Sequence, residues 1–532
     1  MNEQENIFEF IEANKNIWQE IRRTTKNSFK RANSEKSDIL LVEMQRHPIL
    51  LHGNAIFGRI LKNALNTQTA YLDVSDTHTK DILKSYDQES LFIRTKKMNL
   101  KDFVSLLRIF IYASAYILFG KGIQYIKINK INFGDILYDS YLAKYNLATI
   151  SKIKVNLFIS LASLIRNYLR FERTLKLYNP KAILISHNIG NPYGVLMRTA
   201  LSLNIPVYLK VGGNGKVLLQ KYKSLSEIYD DIYRPQKEDM AFLNNIPHNE
   251  LMSDFEKISG TNKELCIWGE DFKSAYAKEK KIYYTKNDFA DEYKVNPNFK
   301  YVFVMLHSFN DHPHSHYGPL WFKDYYDWFA KTLCFAKSKK DVIWIFKEHP
   351  NSKYYPTKDV TLETKFNNIA QNIIFLNANT PFNTMSLRYI ADVIITVLGT
   401  AGVEFAAFGG VPPVVAGKSQ YSGCGFTIEP QSEAEYFEVL KNIEKIERLN
   451  KDQQLMAQKV YLYNQYYSYV PFSWCPILDY GQTKDKNLDE YYWDILKKHY
   501  GYFHNDMIKE CSKYAEIVKN PNFYRLSKRS LV

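Results

Sequence analysis

Short, dense apolar runs recur along the chain and end each time in glycine, proline or a polar residue. They cover residues 39–44, 69–74, 182–186, 206–210, 300–306, 341–347, 373–376, 393–397 and 411–416. Most lack the apolar/polar alternation of a half-exposed strand, which is the pattern of strands buried on both faces. Longer segments with helical spacing lie between them, near 55–65, 155–177, 195–203, 322–336, 383–391 and 401–408. Strands alternating with helices predict an α/β protein built on parallel sheets. Residues 1–36 read as a charged helical lead-in, 218–295 as helical and charged with few strand signals, and 433–450 and 453–467 as helices. The turn Asn296-Pro297-Asn298 sets an expected boundary, giving domains over 1–295 and 296–475 and a helical extension over 476–532, with 492–500 available to cross back. Residues 103–119 are apolar but fall short of the ~20 residues a spanning helix needs and are interrupted by Arg108. They read first as a buried helix, then as a membrane-docking helix, and last as a span.

Length changes the picture only by requiring two cores, since 532 residues exceed one domain. A hydrophobic share of 45% with 24% charged residues describes a globular chain. The five cysteines have no CxxC spacing, so free thiols are expected rather than disulfides or a zinc knuckle. The acidic, polar start is unlike a secretory signal, which makes the cytoplasm the expected compartment. A net charge of +14 calls for an anionic counterpart. No nucleic-acid motif is present and the lysines are dispersed, which leaves nucleotide phosphates and a peripheral anionic membrane surface as expected partners.

The chemistry concentrates at strand ends. The run 393–397 breaks at Leu398-Gly399, and Thr400 is placed to N-cap a helix beginning Ala401-Gly402. A strand–Gly–Thr–helix unit aims backbone N–H groups and the positive helix end at one spot, where phosphate binds. Glu404 sits too late for a capping box, so its carboxylate is expected to serve a ligand. The run 341–347 ends in Lys347-Glu348-His349-Pro350, and 300–306 runs into His307-Ser308 and a stretch holding His312, His314 and His316. That histidine cluster invites a metal, but Pro313 and the absence of helical ligand spacing favour phosphate contact instead. In the first half, His187 follows a strand end and suits a general base, and Gly134-Asp135 with Tyr138-Asp139 supplies two further carboxylates. Gly212, Gly213 and Gly215 form a turn that lets backbone approach a ligand.

Together these segments resemble a bacterial family. The Gly399-Thr400 turn, the Glu404 helix, the Tyr421-x-Gly-x-Gly loop, the His349-Pro350 pair, the His307–Trp328 segment and Gly134-Asp135-x-x-Tyr138-Asp139 look like capsule and surface-polysaccharide glycosyltransferases related to capsule Kdo transferases. The resemblance covers roughly 180–430. It implies the GT-B fold: two Rossmann-like domains facing across a cleft, with C-terminal helices crossing back. It implies metal-independent transfer from a nucleotide-activated sugar, with no separate cofactor, to a lipid-linked glycan at the inner membrane; the sugar is Kdo or a related acidic sugar carried on CMP. By the same resemblance, His307, Ser308, Lys347, His349, Pro350, Gly399, Thr400, Ala401, Gly402 and Glu404 would hold the donor. His187, with Asp135 and Asp139 behind it, would serve the acceptor. A CDP-glycerol-type glycerophosphotransferase, a nucleotide-sugar 2-epimerase and a catalytically inactive glycan-binding module share the fold and stay open.

Overall fold

The computed structural model describes residues 38–43, 48–75, 77–213, 215–259, 275–315, 318, 320–475 and 504–531. The expected helix over 1–36, His47, Asn214, Cys266, His316 and the segment 492–500 lie outside them.

In the first half, β1 (Asp38–Val42) leads through α1 (Pro48–Leu65) to β2 (Thr67–Leu72), and α2 (Thr77–Tyr86) leads to β3 (Leu91–Ile93). The three strands pair in parallel, with Asp38 opposite Thr67 and Ala70 opposite Leu91. Next come α3 (Leu100–Leu118), a hairpin of β4 (Lys127–Ile128) and β5 (Ile131–Asn132), α4 (Gly134–Tyr145) and α5 (Val155–Tyr178). The chain then returns to the other side of β1. There β6 (Ala182–Ile185), α6 (Val195–Ser202) and β7 (Val207–Gly213) continue the parallel sheet. β8 (Lys216–Tyr222) folds back antiparallel on β7. The strand order β8-β7-β6-β1-β2-β3 reverses its direction of winding between β1 and β6. Ligands of open α/β sheets sit at such a reversal, beyond the carboxyl ends of the strands.

Two expectations are corrected here. The start of the expected helical stretch, 218–222, is a strand instead: Lys216, Gln220 and Lys221 break up the apolar run, yet Val217, Leu218 and Leu219 are buried in it. The glycine-rich turn is the hairpin that makes this strand possible. At Gly212, φ is +102° and an added Cβ would lie 2.7 Å from the Lys216 carbonyl oxygen. The second correction concerns 103–119, which forms α3 but buries only Ala113 and Ile117. None of the described helices is long and apolar enough to cross a membrane.

The second half begins with α7 (Lys237–Asn244), α8 (His248–Ser259) and α9 (Lys286–Tyr293). β9 (Lys300–Met305), α10 (Tyr325–Ser338), β10 (Val342–Lys347), β11 (Ile373–Leu376), β12 (Val393–Thr396), α11 (Ala401–Gly409) and β13 (Pro413–Val415) follow. α12 (Glu433–Lys441) and α13 (Lys451–Leu462) complete it. All five strands are parallel, in the order β11-β10-β9-β12-β13. Both sheet faces are covered, so alternate residues serve different cores: Tyr301 and Phe303 pack on one side, Val302 and Val304 on the other. Leu243, Leu251, Phe255 and Phe289 from α7, α8 and α9 belong to the first of these cores, so the boundary expected near 295 lies inside this half, between α9 and β9.

The chain end crosses back. β14 (Val470–Pro471) and β15 (Arg525–Leu526) pair antiparallel with β8, and α14 (His504–Lys519) lies against α1. Trp474, Cys475, Cys511 and Leu526 are buried in the core between α1 and the first sheet. All four described cysteines are free thiols. Two Rossmann-like halves with a returning C-terminus form the GT-B arrangement.

Candidate functional site

The second sheet also reverses its winding, between β9 and β12. The carboxyl ends of its strands open into a cleft that communicates with solvent. His307, Lys347, His349, Pro350, Gly399, Thr400, Ala401 and Glu404 line it, which brings eight of the ten expected donor residues to one place. Ser308 and Gly402 are not among the lining residues. Ser308 Oγ is buried with no partner among the described residues. Gly402 is where Tyr421 crosses the helix start: an added Cβ would lie 2.2 Å from the Tyr421 hydroxyl, which donates to the Gly399 carbonyl at 2.7 Å. Any side chain at 402 would push Tyr421 off that carbonyl and unseat the turn.

Thr400 does not cap α11 as expected. Its backbone is already helical (φ −59°, ψ −22°) and its side chain makes no capping bond. Its carbonyl accepts from Val403 and Glu404 at 3.1 and 2.9 Å, so the helix effectively starts there. The job given to its hydroxyl falls partly to Thr396, whose Oγ1 accepts from Gly399 N–H at 3.1 Å. Helix starts leave N–H groups without intrahelical acceptors, and those of Thr400 and Ala401 stand at the cleft wall.

Neither His307 nor His349, both expected to hold the donor, brings a positive charge to the cleft at neutral pH. His307 stacks on Tyr325 at 4.5 Å, and its Nε2 accepts from the Val397 and Leu398 amides at 3.3 and 3.4 Å. It is thus a neutral strut between two strand ends. Burial, reinforced by His349, lowers its pKa to about 3. His349 Nδ1 accepts from Asn351 N–H at 3.1 Å, which fixes the neutral ring with its proton on Nε2. Burial lowers its pKa to about 4; Asp311 opposes that shift and the Lys347 charge adds to it. The cation is Lys347. Its side chain is 4% exposed and has no carboxylate within ion-pair distance among the described residues. Burial and the neighbouring Lys280 lower its pKa to about 8, against an opposing pull from Glu348. Tyr276 donates to Glu404 Oε2 at 2.5 Å. Tyr276 and Lys280 come from outside either sheet and carry no motif signal.

A pH dependence follows. The folded pKa of Lys347, about 8, lies below its ordinary 10.5, so the unfolded chain holds more protons between these values and stability rises with pH across them. Anion binding runs the other way, being complete below about 8 and lost above it. Nucleotide affinity should therefore fall toward tenfold per pH unit above about 8, and Lys347→Arg should flatten that fall. Calorimetry between pH 6.5 and 9.5 tests this; a level profile in the wild type would remove Lys347 from the phosphate contact.

On the acceptor side, Asp135 and Asp139 need correction as candidate bases. Asp135 is bidentate to Arg198 at 2.6 and 2.8 Å, accepts from the Tyr229 hydroxyl at 2.8 Å, and is 2% exposed. Asp139 is fully buried. It accepts from the His314 ring at 2.7 Å, from the His314 and Ser315 amides at 3.0 and 2.8 Å, and from Ser315 Oγ at 2.6 Å. Both carboxylates are occupied by protein donors, and Asp139 fastens the two halves together. Tyr138 and Thr149 extend this clasp by donating to Asp324.

His187 does stand at the carboxyl end of β6, half-buried, with its ring 5.7 Å from that of Tyr193. The reading missed Glu43, the first polar residue after β1 and so at the reversal of the first sheet. Its carboxylate accepts from Ser186 N–H at 3.2 Å. Lys210 is buried nearby, and burial lowers its pKa against opposing pulls from Cys475 and Glu43. Glu43 carries the same signal as Lys347: a charge ending an apolar run.

The described histidines of the 307–316 stretch separate. His307 braces β12, His312 lies 3.1 Å from where a Gly190 Cβ would sit, and His314 pairs with Asp139. Among the described residues no three metal-ligating side chains come together.

No family model and no curated protein matches this chain. Its backbone is similar to several solved structures. KpsC of Thermosulfurimonas dismutans, a beta Kdo 2,4 transferase, is 16% identical, covering 53% of this chain and 79% of that one at a TM-score of 0.33. The UDP-GlcNAc 2-epimerase of Methanocaldococcus jannaschii, in complex with UDP-GlcNAc and UDP, is 13% identical over 80% and 98%, at 0.27. The glycosyltransferase SnogD of Streptomyces nogalater is 12% identical over 81% and 96%, at 0.22. At TM-scores this low the likeness carries no inference about activity.

Proposed function

We propose that this chain is a glycosyltransferase that binds the diphosphate or phosphodiester of a nucleotide-activated sugar in the cleft of its second half. The observation carrying the proposal is the buried ammonium of Lys347 beside the start of α11, with no carboxylate within ion-pair distance among the described residues. A lone buried cation is costly unless an anion completes it, and a helix start favours the same charge. In the transition state Lys347, the Thr400 and Ala401 amides and the Nε2–H of His349 stabilise charge developing on the leaving phosphate. Glu404, oriented by Tyr276, accepts from ribose hydroxyls. His187 is the acceptor-side base. The acceptor is a growing capsule or surface polysaccharide on a lipid carrier at the cytoplasmic face of the inner membrane, and the sugar is Kdo or a related acidic sugar carried on CMP.

Calorimetric titration with CMP, CDP, UDP and GDP tests the reading. One nucleotide should bind the wild type and fail to bind Lys347→Met; no binding by any of the four would remove the transferase assignment. CDP selected over CMP would favour glycerophosphate transfer. The reading also makes the reaction independent of a divalent ion, because Lys347 and the helix start supply the charge. Transfer should persist in EDTA at an undiminished rate. Complete loss, restored by Mn²⁺ or Zn²⁺, would overturn this part of the mechanism.

A further inference from the structure

We infer that the outer face of α3 docks in the interface of an anionic lipid bilayer, lying along it without crossing. The helix carries apolar side chains on its outward as well as its inward side. Leu106, Ile109, Phe110 and Tyr116 pack inward on the core formed with α4 and α5, while Phe103, Leu107 and Ile111 on the opposite side are 58, 50 and 60% exposed. These outward positions recur every three or four residues and so form one stripe. Phe110 meets Phe158 at 6.4 Å, which brings the start of α5 alongside and adds exposed Val155 and Ile159 to the same surface. Folded soluble proteins rarely leave such a stripe open unless something covers it.

Charge complementarity selects the occupant. Residues 91–133 hold eight Lys and Arg against one acid, Asp102. Asp102 is already paired with Arg173 at 2.8 Å. Arg94, Lys97, Lys101, Arg108 and Lys121 are exposed around the stripe, and Lys152 and Lys154 flank its extension on α5. An apolar stripe rimmed by cations fits lipid headgroups outside and acyl chains beneath. A second copy of this chain would instead set these cations against one another. The inference does not depend on the donor assignment, since α3 contributes nothing to the cleft.

The test is co-sedimentation of the full chain with vesicles of phosphatidylcholine alone or mixed with phosphatidylglycerol. Binding to the mixed vesicles at low salt should fall more than tenfold in 0.5 M salt. It should fall at least about 100-fold in Leu107→Asp/Ile111→Asp. Both positions are exposed, so circular dichroism and nucleotide binding of this variant should match the wild type. No wild-type binding at low salt, or equal binding by the variant, would overturn the inference. So would a wild-type dimer that the same substitutions convert to monomer while vesicle binding is unchanged; the stripe would then belong to a second copy.

Discussion

Lys347→Met should lower kcat/KM for transfer by about 10²–10³-fold, roughly 3–4 kcal/mol of transition-state stabilisation, while the protein stays folded. Removing a cation from a dry site normally destabilises a protein by orphaning its partner. Lys347 has no carboxylate partner within ion-pair distance among the described residues, and its own burial already disfavours its charge. Methionine keeps the length and apolar stem, so the melting temperature should hold or rise. His349→Ala and Glu404→Ala should each cost on the order of 2–4 kcal/mol in the same assay, through the lost Nε2–H donor and the lost ribose acceptor. Circular dichroism and a steady-state assay separate the two quantities. Near-normal turnover in all three variants would dissolve the donor site.

The second large effect concerns Asp135, where stability and catalysis give opposite expectations. If the bidentate pair with Arg198 is an anchor, Asp135→Ala leaves a buried guanidinium uncompensated and costs about 3–5 kcal/mol of folding stability. Arg198→Met should cost a similar amount by orphaning the carboxylate. Replacing both, as Asp135→Leu with Arg198→Met, should recover much of the loss, because the pair's desolvation penalty goes with it. Urea denaturation of the three variants checks this. A base would behave differently: Asp135→Asn would lower turnover by about 10²–10⁴-fold at nearly unchanged stability, returning Asp135 to catalysis.

What could be read from the sequence follows from the range of each interaction. Parallel strands buried on both faces announce themselves locally, so residues 373–376 and 393–396 were legible, as was the turn after them. Candidate donor residues near strand ends stand out in the same local way, and eight of them line one cleft. The partners of Asp135 and Asp139 come from 63 and 175 residues away, and a carboxylate's role depends on what those partners leave over. Burial is equally non-local. It made neutral struts or donors of two histidines, and it left the side of α3 that a hydrophobic run had seemed to bury facing outward. Thr400 failed as a cap because helical geometry reached one residue earlier than the Gly-Thr pair suggested.

The returning C-terminus has a consequence for how the chain is made. β8 is complete once residue 222 has emerged from the ribosome, but its outer edge stays unpaired until residues 470 and 525 have been synthesised. Arg525 reaches its acceptor Gln220 across 305 residues of sequence. The first half therefore cannot finish first, although it is translated first. Until then β8 is an edge strand that must be kept from pairing elsewhere. The same returning segment completes the later half as well, where Arg525 and Arg529 reach Asp239 of α7.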